Sequence, residues 1–315
     1  MTNSVITNAS ALIALQNLNA TNSKLAATQS RVNTGLKVQG AKDNAATWAI
    51  AQNQRADMNA LESVKTSLNR ATSVADVALA AGQQISDILV ELRQKATAAA
   101  DPSASAATRK AYNDEFQTLL KSLQSFADNA SFDGENILNG KVGGVRPDYT
   151  AVPPEVLTPL NFLANADASE TITMNRQDMS LSGLGLATWG VITPAIPEDP
   201  GPPVVPEVPA VIGQIMTLSL ETDPAAALAA VEAALTNANA KLAELGAQSK
   251  QIEKHTLFVT KLMDSLEVGV GNLVDADMAR ESARLQALQV QQQLGAQALS
   301  IANQAPNIIL SLFKG

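Results

Sequence analysis

The chain has 315 residues, no cysteine, a formal net charge of −8 and a pI near 4.8. This length holds one or two domains with a real core. Lack of cysteine excludes a disulfide or zinc–thiolate framework, and the acidic balance is the opposite of the basic stripe that nucleic acid requires. No run approaches ~18 uninterrupted apolar residues, so no membrane insertion is expected. The first residues carry no charged leader followed by an apolar core, so no cleaved signal of the Sec type is expected. Apolar residues make up 46% and aromatic residues only 3%. Alanine and leucine therefore carry the apolar content, as in close-packed helices.

Proline sets the punctuation. Eleven of the fourteen prolines fall between Pro147 and Pro209, with none before Pro102 and none between Pro224 and Pro306. Since proline breaks helix interiors, two helical regions flank a non-helical middle. Residues 3–34 read as the first helix, ended by Gly35 and Gly40. Ile6, Ile13 and Ala20 recur every seven residues, as do Leu18, Leu25 and Val32. Asp43 or Asn44 caps a second helix from about Ala45 to Ala100. Its seam is Leu61, Leu68, Ala75, Leu89 and Ala96 alternating with Val64, Ala71, Ala78, Ile85, Leu92 and Ala99, the three-and-four spacing of a coiled coil. Asp101-Pro102-Ser103 ends it. A third helix, about 105–129, carries Tyr112, Phe116, Leu119, Leu123, Phe126 and Ala130.

Asp133-Gly134 and Asn139-Gly140 mark turns and the start of a small β region. Residues 141–212 show no period, with strands expected around Thr171 and after Ser180, and an extended acidic proline-rich spacer at 194–209. Ile212–Leu220 returns as a strand. Asp223-Pro224 then opens a helix whose seam is Val231, Ala238, Leu245, Ile252, Val259, Leu266 and Leu273, with Leu228, Leu235, Leu242, Met263 and Val270 as companions. Gly269 and Gly271 loosen it. The last element starts near Asp275. It carries Leu285 and two seven-residue repeats, Ala287, Leu294, Ile301, Ile308 and Leu288, Gly295, Ala302, Ile309; Pro306 is expected to bend or end it. Beyond Arg284 its only charge is Lys314. Both ends are thus amphipathic with uncharged amides on the outer side, as surfaces for copies of the same chain.

The fold class expected is mainly α: a long antiparallel coiled-coil helical rod made from both chain ends, with a small β-rich, irregular outer insertion. The divisions are 1–43 and 274–315 for an inner domain, 44–140 and 213–273 for an outer helical domain, and 141–212 for a surface-exposed insertion.

Three stretches resemble bacterial flagellin. They are Gln29-Ser-Arg-Val-Asn-Thr-Gly-Leu-Lys-Val-Gln-Gly-Ala-Lys-Asp-Asn-Ala-Ala-Thr-Trp-Ala-Ile-Ala51, Asn129-Ala-Ser-Phe-Asp-Gly-Glu-Asn-Ile-Leu-Asn-Gly140, and Glu281-Ser-Ala-Arg-Leu-Gln-Ala-Leu-Gln-Val290 continuing to Pro306. Trp48 is similar to flagellins of the alphaproteobacterial kind. The resemblance implies a subunit that polymerises with itself into the extracellular flagellar filament used for motility. It implies an inner tube formed by the terminal helices, a next shell formed by the coiled-coil helices, and residues 141–212 facing solvent. It also implies type III export through the flagellar export apparatus with a chaperone, and contacts with the filament cap and hook-associated proteins. Ile6, Ile13, Leu18, Leu25, Val32, Leu285, Leu288, Leu294, Ile301 and Ile308 are the self-assembly residues expected. Leu61, Val64, Leu68, Ile85, Leu89, Leu92, Phe116, Leu123, Val231, Leu245, Ile252, Val259 and Leu266 are the expected coiled-coil core. Uncharged amphipathic ends rich in Asn, Ser and Thr are marginal helices alone, so folding of the ends is expected to be coupled to assembly.

No catalytic, cofactor-binding or metal residues are expected, and the chain is not read as an enzyme. His255 is the only histidine and reads as a boundary residue of the seam. Asp275 and Asp277 read as charges at a helix N-terminus. The sequons at Asn8, Asn19 and Asn129 read as chance. In flagellins an immune-receptor segment lies on the long N-side helix; here it corresponds to Glu91-Leu-Arg-Gln-Lys-Ala96, with Glu115 on the next helix. Arg93 fits, Glu91 reverses a charge and Lys95 replaces an apolar residue, which weakens an interface. Two alternatives stay open: a hook–filament junction or other flagellin-like axial protein, and a surface adhesin binding polysaccharide through Tyr149, Phe162 and Trp189.

Overall fold

The computed structural model describes residues 8–142, 157–193, 211–215 and 218–312, with side chains described for all of these except 188–193, 211–215 and 305–312. Five helices dominate: α1 (Ala9–Thr34), α2 (Ala45–Ala99), α3 (Ala106–Asn129), α4 (Pro224–Val274) and α5 (Met278–Leu312). Three two-stranded antiparallel sheets join them: β1 (Ser131–Phe132) with β2 (Glu135–Asn136), β3 (Leu160–Leu163) with β4 (Thr171–Met174), and β5 (Thr188–Thr193) with β6 (Val211–Ile215).

Helix ends follow from side-chain chemistry. Gly35 takes a left-handed conformation (φ 72°) and returns its N–H to Arg31 O, closing α1. The carboxamide of Asn44 accepts from Thr47 N at 3.1 Å and starts α2. Ser105 Oγ, Asp223 Oδ1 and Asp277 Oδ1 do the same for α3, α4 and α5. The glycines at 269 and 271 do not interrupt α4, and α5 does not end at Pro306.

The chain forms two compact units, 1–59 with 262–315, and 60–261. The sequence reading divides at 43/44 and 273/274, where helices end. The compact units instead divide inside α2 and α4. Residues 45–59 and 262–274 belong with the ends because Val38, Ala51, Val270 and Val274 form one small core there, flanked by Leu36, Trp48, Met58 and Leu273. Leu266 lies in this unit and is half-buried, unlike the fully buried Val259 one heptad before it.

In the unit 60–261, α2 and α4 run antiparallel, as Ser86 Oγ to Asn239 Oδ1 (3.2 Å) and Arg93 to Glu232 (3.3 Å) show. The α2 seam is buried throughout, including Leu61, Val64, Leu68, Ile85, Leu89 and Leu92. On α4, Val231, Ala238, Leu245, Ile252 and Val259 are buried. The companion row differs from expectation: Ala227 and Ala234 are fully buried, whereas Leu228, Leu235 and Leu242 are half-buried. Small alanines at the centre bring the backbones close, and Leu242 packs into the notch left by Gly82. On α3 the buried row is Phe116, Leu120, Leu123 and Ala127, leaving Leu119 half-buried and Phe126 exposed. Apolar residues occupy both candidate rows, so periodicity alone did not choose between them.

Residues 160–187 are not a solvent-facing loop. Phe162, Met174, Met179, Leu181, Leu184 and Leu186 are buried. Polar side chains of three helices hold the segment by its backbone: Ser67 accepts from Leu163 N, Gln124 from Leu181 N and Gln248 from Asn175 N. Arg176, its guanidinium side chain only 4% exposed, donates to Thr158 O (3.0 Å), Asn136 O (2.7 Å), Lys141 O (3.4 Å) and Glu135 Oε2 (2.7 Å). The proline-rich spacer at 194–209 lies outside the described residues.

Candidate self-association surface

The terminal helices α1 and α5 pair antiparallel. Arg31 meets Glu281 (3.6 Å), Asn22 accepts from Gln292 (2.9 Å), Leu18 packs against Gly295, and Asn8 donates to Ala302 O (2.7 Å). Residue numbers across each contact add to nearly the same total, so the register is constant over four turns and more.

Each helix carries two seven-residue rows, and the pairing treats them differently. The rows Leu18, Leu25, Val32 on α1 and Leu288, Gly295, Ala302 on α5 are buried or half-buried. Leu285 joins them, half-buried. The second rows remain exposed: Ile13 is 60%, Leu294 61% and Ile301 64% accessible, with Leu12 and Val290 also exposed. Ile6 and the side chain of Ile308 lie outside the described residues. The exposed rows are large aliphatic side chains next to Gln, Asn and Ser, with almost no charge to solvate them. An apolar strip of this size on a paired element marks an interaction surface.

The other sequence candidates fall as follows. His255 is half-buried and its Nε2 lies 2.7 Å from Ala164 O, so it holds the β3–β4 turn. The carboxamide of Asn8 caps α1 and that of Asn129 bonds Ser125 O, so both sequon amides are engaged within the chain. Phe162 is buried, which removes it from any sugar-stacking surface; Tyr149 and the Trp189 side chain lie outside the described residues. Glu91 and Arg93 are exposed, Arg93 pairs with Glu232, and Lys95 forms an ion pair with Glu115 while sitting 5.9 Å from the Tyr112 ring centre. No helix among the described residues is long and apolar enough to cross a membrane.

Sequence reasoning missed Asn136, Arg176 and Lys241. Asn136 is buried: its Nδ2 donates to Ala127 O and Asp128 O at the end of α3, and its Oδ1 accepts from Leu138 N and Asn139 N. Lys241 Nζ donates to Asp178 O and to Gly183 O (3.1 Å). Single polar residues in aperiodic or seam positions carry no sequence signal of their own.

The profile of the bacterial flagellin N-terminal helical region matches residues 5–142, and that of the C-terminal helical region matches residues 228–313. The chain belongs to the bacterial flagellin family. Flagellin FljK of Caulobacter vibrioides is 45% identical over 312 residues, covering 99% of both chains. The flagellin of Brucella melitensis is 38% identical over 314 residues and flagellin C of Rhizobium meliloti 35% over 334 residues, each again covering 99% of both chains. The kinship is therefore with alphaproteobacterial flagellins. As a flagellin, the chain is a structural subunit of the extracellular filament and polymerises with itself. The family is one of structural proteins, and the junction-protein and adhesin readings are not favoured.

Proposed function

We propose that α1 and α5 form the innermost layer of the filament, with Ile13, Leu294 and Ile301 packing against neighbouring copies while Leu18, Leu25, Val32, Leu285 and Leu288 hold the two helices of one copy together. Ile6 and Ile308 share the seven-residue spacing of these rows. The observation that carries this is the split between one buried and one exposed row on each helix. Burying one such side chain on assembly stabilises by about 1.5–3 kcal/mol, and a filament buries many. By role, 1–43 and 274–315 are the inner, assembling part and 44–140 with 213–273 the outer helical part, into which 141–212 is inserted, although residues 45–59 and 262–274 share the compact unit of the ends. The coiled-coil core, from Leu61 on α2 to Val259 on α4, keeps that outer domain rigid. Before assembly the two ends are unfolded, which suits type III export without a cleaved signal, delivery by a chaperone to the export apparatus, and insertion beneath a cap on hook-associated proteins. Deleting 1–40 or 275–315 leaves a soluble chain that does not polymerise; filaments from either truncate would refute the reading.

Immune-receptor activation is weak in this reading. Glu91 presents the wrong charge, and Lys95 both replaces an apolar anchor and occupies the Glu115 carboxylate. A cellular reporter response as strong as that to an enterobacterial flagellin would end this part of the proposal.

A further inference from the structure

The outer unit 60–261 carries two unpaired faces that fit each other. On α4, Lys250, Lys254, Leu257 and Lys261 follow one another at spacings of four, three and four. They lie opposite the buried row Leu245, Ile252, Val259, and all are exposed. Leu257 is 56% and its neighbour Phe258 58% accessible. This is a basic, apolar-centred strip on an acidic chain. On α2, Asp76, Ala80 and Asp87 lie opposite the seam and are exposed. Neither the three lysines nor the two aspartates form an ion pair among the described residues.

We propose that the Lys250–Lys261 face of α4 docks on the Asp76–Asp87 face of α2 in a neighbouring copy. The proposal rests on the filament reading and names one of its contacts. Lys250 to Lys261 and Asp76 to Asp87 are both eleven residues, about 16 Å at 1.5 Å per residue. Helices α2 and α4 run antiparallel within one copy. Copies stacked in the same orientation therefore present α4 antiparallel to a neighbour's α2. In that register Lys250 faces Asp87 and Lys261 faces Asp76. Leu257, seven residues after Lys250, lands on Ala80, seven before Asp87, where a small side chain leaves room for it. Glu253 and Glu91 lie at the edges of the contact. The pairing cannot close within one chain: Ser86 is level with Asn239, so in the antiparallel register Asp87 is level with residue 238, about twelve residues from Lys250. The two faces differ, so the contact is heterologous and propagates instead of ending in a dimer.

The test uses full-length chain elongating from filament seeds, read by light scattering and electron microscopy. The wild type elongates in the same assay; failure there would remove the filament reading itself and not this contact alone. Lys250→Glu with Lys261→Glu lowers the elongation rate at least tenfold, as does Asp76→Lys with Asp87→Lys. Mixing the two double variants, or combining all four changes in one chain, restores it. Wild-type elongation by either double variant, or no rescue from a chain with an unchanged melting curve, overturns the contact. A second readout avoids charge reversal: the chain has no cysteine, so Lys250→Cys with Asp87→Cys gives an oxidised ladder of cross-linked copies in filaments. Absence of that ladder from filaments that do form overturns it equally.

Discussion

Leu18 Cδ1 lies 3.2 Å from the point where a Cβ on Gly295 would sit. The glycine is what lets α1 and α5 approach at this level, and the far end of a leucine is the neighbour that must give. Gly295→Ala is accommodated by a small shift of Leu18 and gains helix propensity. Gly295→Leu overpacks the pair, at a cost of about 1–3 kcal/mol. The expected outcome is normal elongation for the alanine variant and severely reduced filament yield for the leucine variant, with the melting of the 60–261 unit unchanged in both by circular dichroism.

Leu294 and Ile301 are exposed in the single subunit, so replacing them with Ser leaves subunit stability within about 0.5 kcal/mol. Their burial is expected only between copies. Leu294→Ser with Ile301→Ser therefore raises the critical concentration for polymerisation at least tenfold, measured by sedimentation of assembled material. Leu288→Ala, in the buried row, instead loosens the α1–α5 pair within each assembled copy.

Arg176 is the buried hub of the docked segment. Arg176→Met leaves Asn136 O and Thr158 O without their guanidinium donor and Glu135 without its ion partner. A buried carbonyl left without its donor costs about 1–3 kcal/mol, while Glu135, a third exposed, is solvated by water and adds little. A lowered urea midpoint and earlier proteolytic cleavage between residues 157 and 187 are the expected results.

Lys241 gives a pH signature. Burial pushes its ammonium below its ordinary 10.5, although the nearby Asp178 charge opposes this. In the window just under pH 10.5 the unfolded chain holds the proton more firmly than the folded one, so stability rises with pH there. Lys95 acts the other way. Its bond to Glu115 raises its pKa, so its contribution is present below pH 10.5 and is lost above it as the folded ammonium titrates. Urea midpoints taken from about pH 8 to pH 10.5 should climb in the wild type relative to Lys241→Met.

Much of this architecture could be read from residue order. The helix limits followed from Gly35, from Asp43 or Asn44, and from Asp223-Pro224, because capping is local chemistry; the Ser105 cap of α3 was not singled out. The α2 seam followed from strict three-and-four spacing. The rows of α3 and α4 did not: Leu119 and Leu120, or Leu228 and Ala227, are adjacent apolar residues, and only close packing selects the one that turns inward. Residues 160–187 were hidden for a different reason. Met174, Met179 and Leu186 are buried through carbonyls and amides gripped by Arg176, Gln248 and Lys241, an arrangement that leaves no period. On the terminal helices spacing revealed two rows, while which row faces the partner helix depended on the small residues at Gly295 and Ala302.

The bond from Asn8 to Ala302 O spans 294 positions of the chain. A ribosome releases the donor long before it has made the acceptor. The first helix therefore cannot obtain its lasting partner during translation, and closure of the two termini is timed by the end of synthesis at the earliest. A product stopped before the final helix would carry the first helix without its partner, the row Leu18, Leu25 and Val32 left uncovered.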